Sequence, residues 1–494
     1  MAGFRMCWEA NPVQVGSPEI PRPRIELFAL SYFKKAVPFP PPNGMSSFWR
    51  SSPGSLDNHR STKDLPSQCD ILIIGAGYSG ASLVTHMLSQ PESKDKSIVV
   101  LEARQLCSGA TGRNGGHIKP DVYNLCSKMA SKHGIDAGAE IAEFELANVD
   151  AVKNYVLEKN VDCDLMITNA VDVQLSADHN TALKAGYDKL VNAGVSATKS
   201  AFYVDGKYAE TVSGVKGAKG AFKYTTGHLW PYKLIHHMFA DALKHKNLNL
   251  QTNTPATSIS ASPEADGSWS VITTRGAIKA RKVIVATNAY TAALLPEYRD
   301  KIIPYRAICS RIVAPNPPLL ADSYAIRFSP TDFDYLIPRP DGSIIVGGAR
   351  SAYFRYTEDW YGSVDDTKVI ERAKDYFEGY MQRHFRGWEN SGAHTDQVWT
   401  GNIFPAVMGY SADGLPRIGR VPGRENMFIM GGFTGHGMPQ VFLTAKGISR
   451  MVLEDLAFSE TGIPRLFEES ESRLTSDENF LKEMMDAQPS LAKM

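Results

Sequence analysis

Residues 70–80, which read D-I-L-I-I-G-A-G-Y-S-G, constrain the fold of this chain more than any other stretch. The apolar residues Ile71–Ile74 are typical of a buried strand, which runs directly into a turn. Gly75, Gly77 and Gly80 have the G-x-G-x-x-G spacing of a dinucleotide-binding turn. In such a turn the first glycine allows the bend, the second lets the backbone approach a pyrophosphate, and the third lets the next helix pack closely. The stretch therefore predicts a strand-turn-helix unit that binds a dinucleotide.

The residues that follow support the same unit. Apolar residues recur with helical spacing from Ser79 to Ser89, and the N-terminus of that helix would face the phosphates. A second apolar run, S-I-V-V-L-E, ends in Glu102. An acidic residue roughly twenty positions after the last glycine is expected to hydrogen-bond a ribose hydroxyl. The alternative is a coincidental glycine turn, which the ordered set of strand, glycines, helix, strand and acid disfavours.

The composition excludes several classes of function. The chain of 494 residues has 53 lysines and arginines and 53 aspartates and glutamates, so its formal net charge is zero. It has no charge excess that would favour nucleic acid or an acidic membrane surface. No apolar run is long enough to span a bilayer, and the first residues lack the apolar core of a secretory signal. The six cysteines lack metal-binding spacing, so we expect reduced thiols, no metal and a cytoplasmic location.

Two kinds of pattern alternate along the rest of the chain. Residues 137–159 have the period of an amphipathic helix, whereas residues 302–350 are strand-like and contain the hairpin signal Asp341-Gly342. These patterns predict an α/β fold with an α+β second domain, in which a Rossmann-like nucleotide-binding domain is interleaved with an antiparallel-sheet substrate domain. The predicted boundaries are an extended, partly disordered arm over 1–66, a nucleotide-binding domain over 67–125, 206–300 and 396–460, a substrate domain over 126–205 and 301–395, and a C-terminal tail over 461–494.

Two further glycine-rich segments are candidates for ligand binding. Residues 103–117 (A-R-Q-L-C-S-G-A-T-G-R-N-G-G-H) place polar donors directly after Glu102. A nicotinamide-binding unit has no need of such a loop, and a flexible surface loop is the alternative. Residues 427–441 (M-F-I-M-G-G-F-T-G-H-G-M-P-Q-V) read as a strand, a glycine turn and a helix start, where backbone N–H groups bind anions. A plain packing turn is the alternative there.

Taken together, these motifs resemble those of the FAD-dependent oxidoreductases of the D-amino-acid oxidase superfamily, which includes sarcosine and glycine oxidases, amadoriases and D-amino-acid dehydrogenases. The resemblance extends from Cys69 to Leu456, and its G-A-T-G-R-N-G-G-H and T-G-H-G motifs are similar to those of fungal members. The matching segments are I-I-G-A-G-Y-S-G, L-E-A-R-x-x-x-S-G-A-T-G-R-N-G-G-H, V-I-V-A-T-N-A-Y, I-P-Y-R, Y-L-I-P-R-P-D-G-S-I-I-V-G-G, D-G-L-P-R-I-G and G-G-F-T-G-H-G.

The resemblance implies FAD as the cofactor and makes the nucleotide-binding domain an FAD-binding domain. Because relatives with covalent flavin carry a cysteine where this chain reads V-W-T-G-N-I-F-P, it favours tightly bound, noncovalent FAD, with His117 or Cys107 as alternative attachment points. The FAD-binding residues that the resemblance implies are Gly75, Ala76, Gly77, Tyr78, Ser79, Gly80, Glu102, Ala103, Arg104, Ser108, Thr111, Arg113, Asn114, Gly115, Gly116, His117, Ala256, Ala286, Thr287, Gly432, Phe433, Thr434, Gly435, His436 and Gly437.

The resemblance also implies the reaction. In this family a hydride passes from a carbon bearing an amine to the flavin, and oxygen usually serves as the acceptor. His436, in the predicted flavin-edge turn, is the first catalytic candidate, with a purely structural hydrogen-bond donor as the alternative. Tyr335 and Arg339 have the strand parity to face the substrate together. Arg306 or Arg339 is a candidate carboxylate clamp, with a surface ion pair as the alternative for either.

The sequence therefore predicts an FAD-dependent oxidoreductase that acts on the C–N bond of an amine or amino acid, with O2 as the expected acceptor. The first alternative is an FAD-dependent tailoring oxidase or dehydrogenase acting on a scaffold of fungal specialised metabolism. The second is a flavin-binding protein without catalysis. The expected partners are a small-molecule substrate and O2, without nucleic acid or a membrane span, in a monomer or small homo-oligomer.

Overall fold

A computed structural model describes residues 39–401 and 407–486 of the chain. The strands are β1 (Gln68–Ile74), β2 (Ile98–Leu101), β3 (His117–Ile118), β4 (Met166–Gln174), β5 (Ala201–Val204), β6 (Gly220–His228), β7 (Leu248–Gln251), β8 (Ala256–Ile259), β9 (Trp269–Thr273), β10 (Gly276–Val285), β11 (Ile302–Tyr305), β12 (Ala307–Val313), β13 (Ser323–Arg327), β14 (Phe333–Pro338), β15 (Ile344–Gly348), β16 (His394–Gly401), β17 (Met408–Ser411), β18 (Arg417–Arg420) and β19 (Met427–Gly431).

The helices confirm the predicted amphipathic segment, which is the longest described helix and begins and ends within two residues of the predicted bounds. Within the described ranges, no helix has the length and apolarity that crossing a membrane requires. The helices are α1 (Tyr78–Leu88), α2 (Asn124–His133), α3 (Ile135–Glu158), α4 (Ala177–Asn192), α5 (Gly206–Ser213), α6 (Pro231–Ala242), α7 (Thr291–Leu294), α8 (Arg350–Tyr353), α9 (Tyr380–His384), α10 (Val441–Glu454), α11 (Glu471–Thr475) and α12 (Phe480–Asp486).

The first sheet has the strand order β18-β19-β10-β1-β2-β7. Its inner strands are parallel, with Ile73 of β1 opposite Ile284 of β10 and Val100 of β2. β18 runs antiparallel at one edge, and β9 pairs antiparallel with β10. β1 reads as a continuous apolar run because it lies at the centre of the sheet, where both of its faces are buried. In open sheets of this kind, ligands bind at the carboxyl ends of the parallel strands.

The second sheet has the strand order β16-β12-β15-β14-β13-β4-β6-β3, with β5 paired to β6. The predicted hairpin joins β14 to β15, but of Asp341 and Gly342 only the glycine has a positive φ, at +78°. β6 and β16 both lie in this sheet. The predicted boundaries instead place β6 and most of β16 in the FAD-binding domain. Their hydrogen bonds to β4 and β12 hold them in the second sheet. β11 and β17 form a separate pair.

The two ends of the described chain pack onto the body. Residues 39–66, predicted to belong to an extended arm, include Trp49, which is fully buried; the rest of that predicted arm lies outside the described residues. Beyond residue 461, Glu469 pairs with Arg417 at 3.0 Å and Arg473 with Asp413 at 2.8 Å. Ion pairs therefore fix the beginning of the predicted tail, whose last eight residues lie outside the described ranges.

Candidate functional site

A first cleft opens at the carboxyl ends of β1, β2 and β10. Its volume is about 1230 Å³ including the open space at its mouth. The cleft brings together predicted FAD residues from four distant parts of the chain. Those in its lining are Gly75, Gly77, Tyr78, Ser79, Glu102, Ala103, Arg104, Thr111, Asn114, Ala256, Ala286, Thr287, Phe433, Gly435 and Gly437.

The glycine turn after β1 leaves no room for side chains. Gly75 has a φ of +116°, and a Cβ on it would lie 2.6 Å from the carbonyl oxygen of Ala286. A Cβ on Gly80 would lie 2.0 Å from the carbonyl oxygen of Gly75, so α1 needs this glycine to pack against the turn. The N-cap residue of α1, Gly77, has no side chain to satisfy the N–H groups of the first turn. This backbone cradle and helix start suit an anionic pyrophosphate.

Glu102 is fixed at the edge of the first cleft by two backbone donors. Its Oε2 accepts the N–H of Ala76 at 2.9 Å, and its Oε1 accepts the N–H of Arg104 at 3.0 Å. Each carboxylate oxygen keeps a lone pair, so the group can still accept a ribose hydroxyl. Thr111 Oγ1 accepts the N–H of Tyr78 at 2.9 Å and thereby ties the second glycine-rich segment to α1.

The turn between β19 and α10 supplies the remaining part of the lining. Gly432, Thr434 and Gly435 have φ values of +69°, +50° and +78°, a conformation that directs successive peptide groups to one side. Asn288 Oδ1 accepts the N–H of Gly432 at 2.9 Å, which connects this turn to the end of β10. The cradle, the fixed acid and the two helix starts together fit a dinucleotide.

Several of the predicted FAD residues do not line the first cleft, and two of them show why. Arg113 is fully buried; it donates to the carbonyl oxygen of Ser108 at 2.9 Å and lies 3.4 Å from Asp366. His117 is buried with its Nε2 2.8 Å from Ser323 Oγ, and burial lowers the pKa of this imidazole well below its usual range. These residues shape the loop and the sheet behind it. The predicted residues outside this lining are Ala76, Gly80, Ser108, Arg113, Gly115, Gly116, His117, Gly432, Thr434 and His436.

A second cleft of about 1230 Å³, again including its mouth, meets the first at Phe433, which lines both. Residues from the second sheet, from α2 and from the turn after β19 surround it. Five predicted residues lie in its lining, namely His117, Tyr335, Phe433, Thr434 and His436. Its polar and aromatic lining also contains Lys119, Asp121, Lys128, Arg327, Phe333, Arg350, Tyr410, Gln440 and Phe480.

Arg350 is a buried cation in the second cleft without a paired carboxylate in the described part of the chain. Its side chain donates to the carbonyl oxygen of Thr331 at 2.6 Å and lies 5.8 Å from the centre of the Tyr305 ring. Its Nε–H is buried and has no hydrogen-bond partner in the described structure. Asp332 acts on the guanidinium only from beyond ion-pair distance. A buried guanidinium with no carboxylate at ion-pair distance favours an anionic ligand, because a buried charge is most stable when it is directly paired.

The other buried cations of the second cleft share one carboxylate. Asp172 accepts two bonds from Arg327, both at 3.0 Å, and lies 3.3 Å from Lys119 Nζ. Burial alone would raise the pKa of Asp172, but the charges of Arg327 and Lys119 outweigh burial and lower it. Two cations around one carboxylate leave one positive charge, but each of them has a carboxylate within 3.3 Å, whereas Arg350 has none at ion-pair distance among the described residues, so Arg350 is the stronger attraction for an anion.

His436 is held by a buried glutamate on α3. Its Nε2 lies 2.9 Å from Oε2 of Glu145, a residue that is fully buried. The same carboxylate accepts the N–H of Asp121 at 2.7 Å and the amide N–H of Gln440 at 2.7 Å. Burial alone would lower the pKa of His436, but the charge of Glu145 and the bond to it raise that pKa. Glu145 therefore favours the protonated form of the imidazole at the turn that the two clefts share.

The three other predicted catalytic residues have different positions. Tyr335 lines the second cleft, with its hydroxyl 2.9 Å from Cys309 Sγ. Arg306 and Arg339 line neither cleft. Arg306 donates to backbone carbonyl oxygens, one of them that of Asp359 at 3.3 Å, and Arg339 pairs with Asp164 at 2.5 Å. A carboxylate clamp by either arginine is therefore not supported by its position.

The sequence reasoning missed two residues of this region: Glu145, which holds His436, and Arg350, which lines the second cleft. Glu145 lies four residues after Ile141 on the apolar face of the predicted helix, and a carboxylate on that face was an available signal. Arg350 follows the strand that was predicted to line the substrate, yet the order of residues does not show that the guanidinium lacks a counter-ion. That observation needs the tertiary structure.

A family model described as "FAD dependent oxidoreductase" matches residues 70–451. Among curated proteins, the chain is 22% identical over 400 residues to the gamma-glutamylputrescine oxidoreductase of Escherichia coli strain K12, an alignment that covers 78% of this chain and 84% of that protein.

Two solved structures are similar to this protein over more than four fifths of its chain. The glycine oxidase of Geobacillus kaustophilus gives a TM-score of 0.63 at 16% identity and covers 82% of this chain and 99% of its own. The L-amino acid deaminase of Proteus vulgaris gives a TM-score of 0.62 at 16% identity, with 85% and 99% covered. These similarities confirm the predicted fold class.

Proposed function

Because the chain belongs to the family of FAD-dependent oxidoreductases, which act on C–N donors, we propose that it oxidises the C–N bond of a carboxylate-bearing amine held in the second cleft. The first cleft would hold FAD through the turn after β1, Glu102 and the turn after β19. When bound, FAD supplies the acceptor for the hydride that leaves the carbon next to nitrogen. Since Phe433 lines both clefts, a substrate in the second cleft would meet the cofactor at this turn.

Arg350 is the single observation that carries the choice of substrate class. A carboxylate on the substrate would supply the counter-ion that this buried guanidinium lacks among the described residues. A relative named as a gamma-glutamylputrescine oxidoreductase supports an amine as the group that is oxidised. The comparisons do not favour the alternative of a tailoring oxidase of specialised metabolism.

The cationic lining also acts on the protonation of the amine. His436, Lys119 and Arg350 place positive charge around the second cleft, and positive charge disfavours the ammonium form of a bound amine. The neutral amine is the form that reacts, because its lone pair forms the C=N bond as the C–H bond breaks and the hydride leaves. The N–H proton is then released, and water hydrolyses the imine.

The test is anaerobic mixing of the holoprotein with matched pairs of compounds, each an amino acid and its decarboxylated amine. We expect the flavin absorbance to bleach faster with the amino acid. Arg350→Met should raise KM for the acid by at least about 30-fold, since removing one partner of a buried charge pair costs about 2 kcal/mol or more. Arg355→Met, which changes an exposed arginine five residues away, is the matched control.

Equal bleaching by both members of each pair would overturn the carboxylate requirement, and no bleaching by any amine would overturn C–N oxidation. We further propose O2 as the acceptor. With air present, substrate should drive stoichiometric oxygen consumption; turnover only with an added dye would contradict this proposal.

A further inference from the structure

We propose that residues 39–57, which we call the strap, complete the FAD site and slow the release of FAD. The strap lies before residues 70–451, which the family model matches. The inference rests on the proposed placement of FAD in the first cleft. Three sets of contacts carry it: the cover over the cleft, the hold on the glycine-rich loop, and the anchors in the core.

The beginning of the strap covers part of the first cleft. Phe39 and Pro40 are in its lining, together with Glu102 and Arg104. The carbonyl oxygen of Pro41 accepts a bond from Arg104 Nη1 at 3.2 Å, which keeps the two apolar residues beside that end of the cleft. Phe39 is 39% exposed, so its ring has apolar surface that a ligand would cover.

The middle of the strap holds the loop of residues 108–116. The Ser47 hydroxyl donates to the carbonyl oxygen of Gly112, and the Trp49 indole N–H donates to that of Asn114. Asn114 and its neighbour Thr111 line the first cleft. The strap therefore fixes the backbone of residues 108–116, a loop that supplies part of the lining of the first cleft.

The strap is anchored by contacts between aromatic rings and by an arginine. Trp49 is fully buried, and its carbonyl oxygen accepts the indole N–H of Trp230 at 2.7 Å. The Arg339 guanidinium carbon lies 5.0 Å from the Trp49 ring centre and 5.5 Å from that of Trp230. Asp164 holds the same guanidinium at 2.5 Å. Arg339 thus secures the strap by cation–π contacts.

A second anchor lies at the far end of the strap. Asp57 pairs with Arg50 at 2.5 Å and accepts the hydroxyl of Tyr232 on α6 at 3.1 Å. The carbonyl oxygen of Asp57 also accepts the N–H of Leu106 at 3.0 Å, close to the start of the glycine-rich loop. Both ends of the held loop are therefore connected to the strap.

Gly44 is the place at which a small change should lift the strap. A Cβ on this residue would lie 2.5 Å from Arg113 Nη2 and 2.6 Å from Arg104 Nη1. Both guanidiniums are buried against Asp366, whose carbonyl oxygen accepts the N–H of Met45 at 2.8 Å. Because the arginines are fixed, the backbone of the strap would have to move.

The experiment compares FAD binding by the full chain carrying Gly44→Ala, Trp49→Phe or Ser52→Ala. Trp49→Phe keeps the ring but removes the N–H to Asn114, and Ser52→Ala alters an exposed position of the same strap. Titration of the apoproteins with FAD, followed by flavin fluorescence, should show Kd raised about tenfold in the first two variants, which is about 1.4 kcal/mol. The Ser52→Ala value should equal that of the unmodified chain.

Hydrogen exchange supplies a readout that does not depend on a variant. Saturation with FAD should slow exchange in peptides from 39–57 and from 108–116. If Gly44→Ala and Trp49→Phe bind FAD as tightly as the unmodified chain, or if only 108–116 is protected, the strap has no part in retention. If neither segment is protected although FAD binds, the placement of FAD in the first cleft fails instead.

Discussion

Replacing Glu145 by glutamine should destabilise the protein only where His436 is charged. The glutamate is fully buried and accepts three hydrogen bonds, from His436, Gln440 and the backbone of Asp121. Gln440 Oε1 is buried without a partner in the described structure, so a flip of its amide would let it accept from the new glutamine. Every bond to residue 145 can therefore be kept while its charge is removed.

The magnitude follows from the change in hydrogen-bond type. A hydrogen bond to a charged group contributes about 1.5–3 kcal/mol and a neutral one about 0.5–1.5 kcal/mol. We therefore expect Glu145→Gln to cost about 1–1.5 kcal/mol when His436 is protonated. Because the pKa of His436 is raised in the folded protein, its contribution is fully present below the unfolded value of 6.5 and is lost as the pH rises through the folded value.

The assay is chemical denaturation of the holoprotein at about pH 5.5, below the unfolded value, and at about pH 9. The free energy of unfolding should fall in the variant at the lower pH and change little at the higher pH. His436→Asn and the double variant complete a thermodynamic cycle, whose coupling energy should likewise disappear at high pH. An equal loss at both pH values would refute the charged pair and leave Glu145 with a packing role alone.

Two further predictions concern the glycine turn and a second buried acid. Gly80→Ala should abolish FAD retention or folding, since its Cβ would lie 2.0 Å from the Gly75 carbonyl oxygen; Gly109→Ala meets no described atom within 4 Å and should leave the thermal midpoint of the apoprotein unchanged. Burial raises the pKa of Asp334 to about 7, so this carboxyl favours the folded state below pH 3.8 and loses that contribution as the pH rises through 7. Asp334→Asn should flatten the dependence of unfolding free energy on pH between these values, by at most about 4 kcal/mol. Urea denaturation at a series of pH values measures this dependence, and a pH dependence equal to that of the unmodified chain would contradict the prediction.

The part of the fold that the sequence predicts well is the part whose constraints are local. The turn after β1 needs glycine at Gly75 and Gly80 because neighbouring carbonyl oxygens occupy the space of a Cβ, so the motif and the geometry coincide. The helical period of α3 and the continuous apolar run of the central strand β1 are likewise patterns of neighbouring residues, which the sequence shows directly. The sheet to which β6 belongs is not local information, because it depends on pairing with β4, a strand more than forty residues earlier.

The candidate site was only partly predictable, because the environment of a charge depends on tertiary contacts. Arg306, Arg339 and Arg350 all follow or precede apolar strands, and nothing in their sequence context separates them. Arg306 donates to backbone carbonyl oxygens, and Arg339 has Asp164 and two tryptophans. Each of the three has a buried N–H without a hydrogen-bond partner in the described structure, but of the three only Arg350 lines a cleft. Strand parity predicted that Tyr335 and Arg339 face the substrate together; Tyr335 lines the second cleft, whereas Arg339 lines neither cleft.

The position of Arg339 also explains how the strap and the two clefts depend on one another. In the strand-parity argument this arginine was expected to bind substrate, yet its guanidinium is occupied by Trp49 from the strap and by Asp164. Because Arg339 holds the strap beside the first cleft, it cannot also bind an anion in the second cleft. Arg350, at the end of the neighbouring strand, is the arginine that we propose for that role. Variants of the two arginines should therefore separate: Arg339→Met should weaken FAD retention, whereas Arg350→Met should weaken the binding of carboxylate substrates.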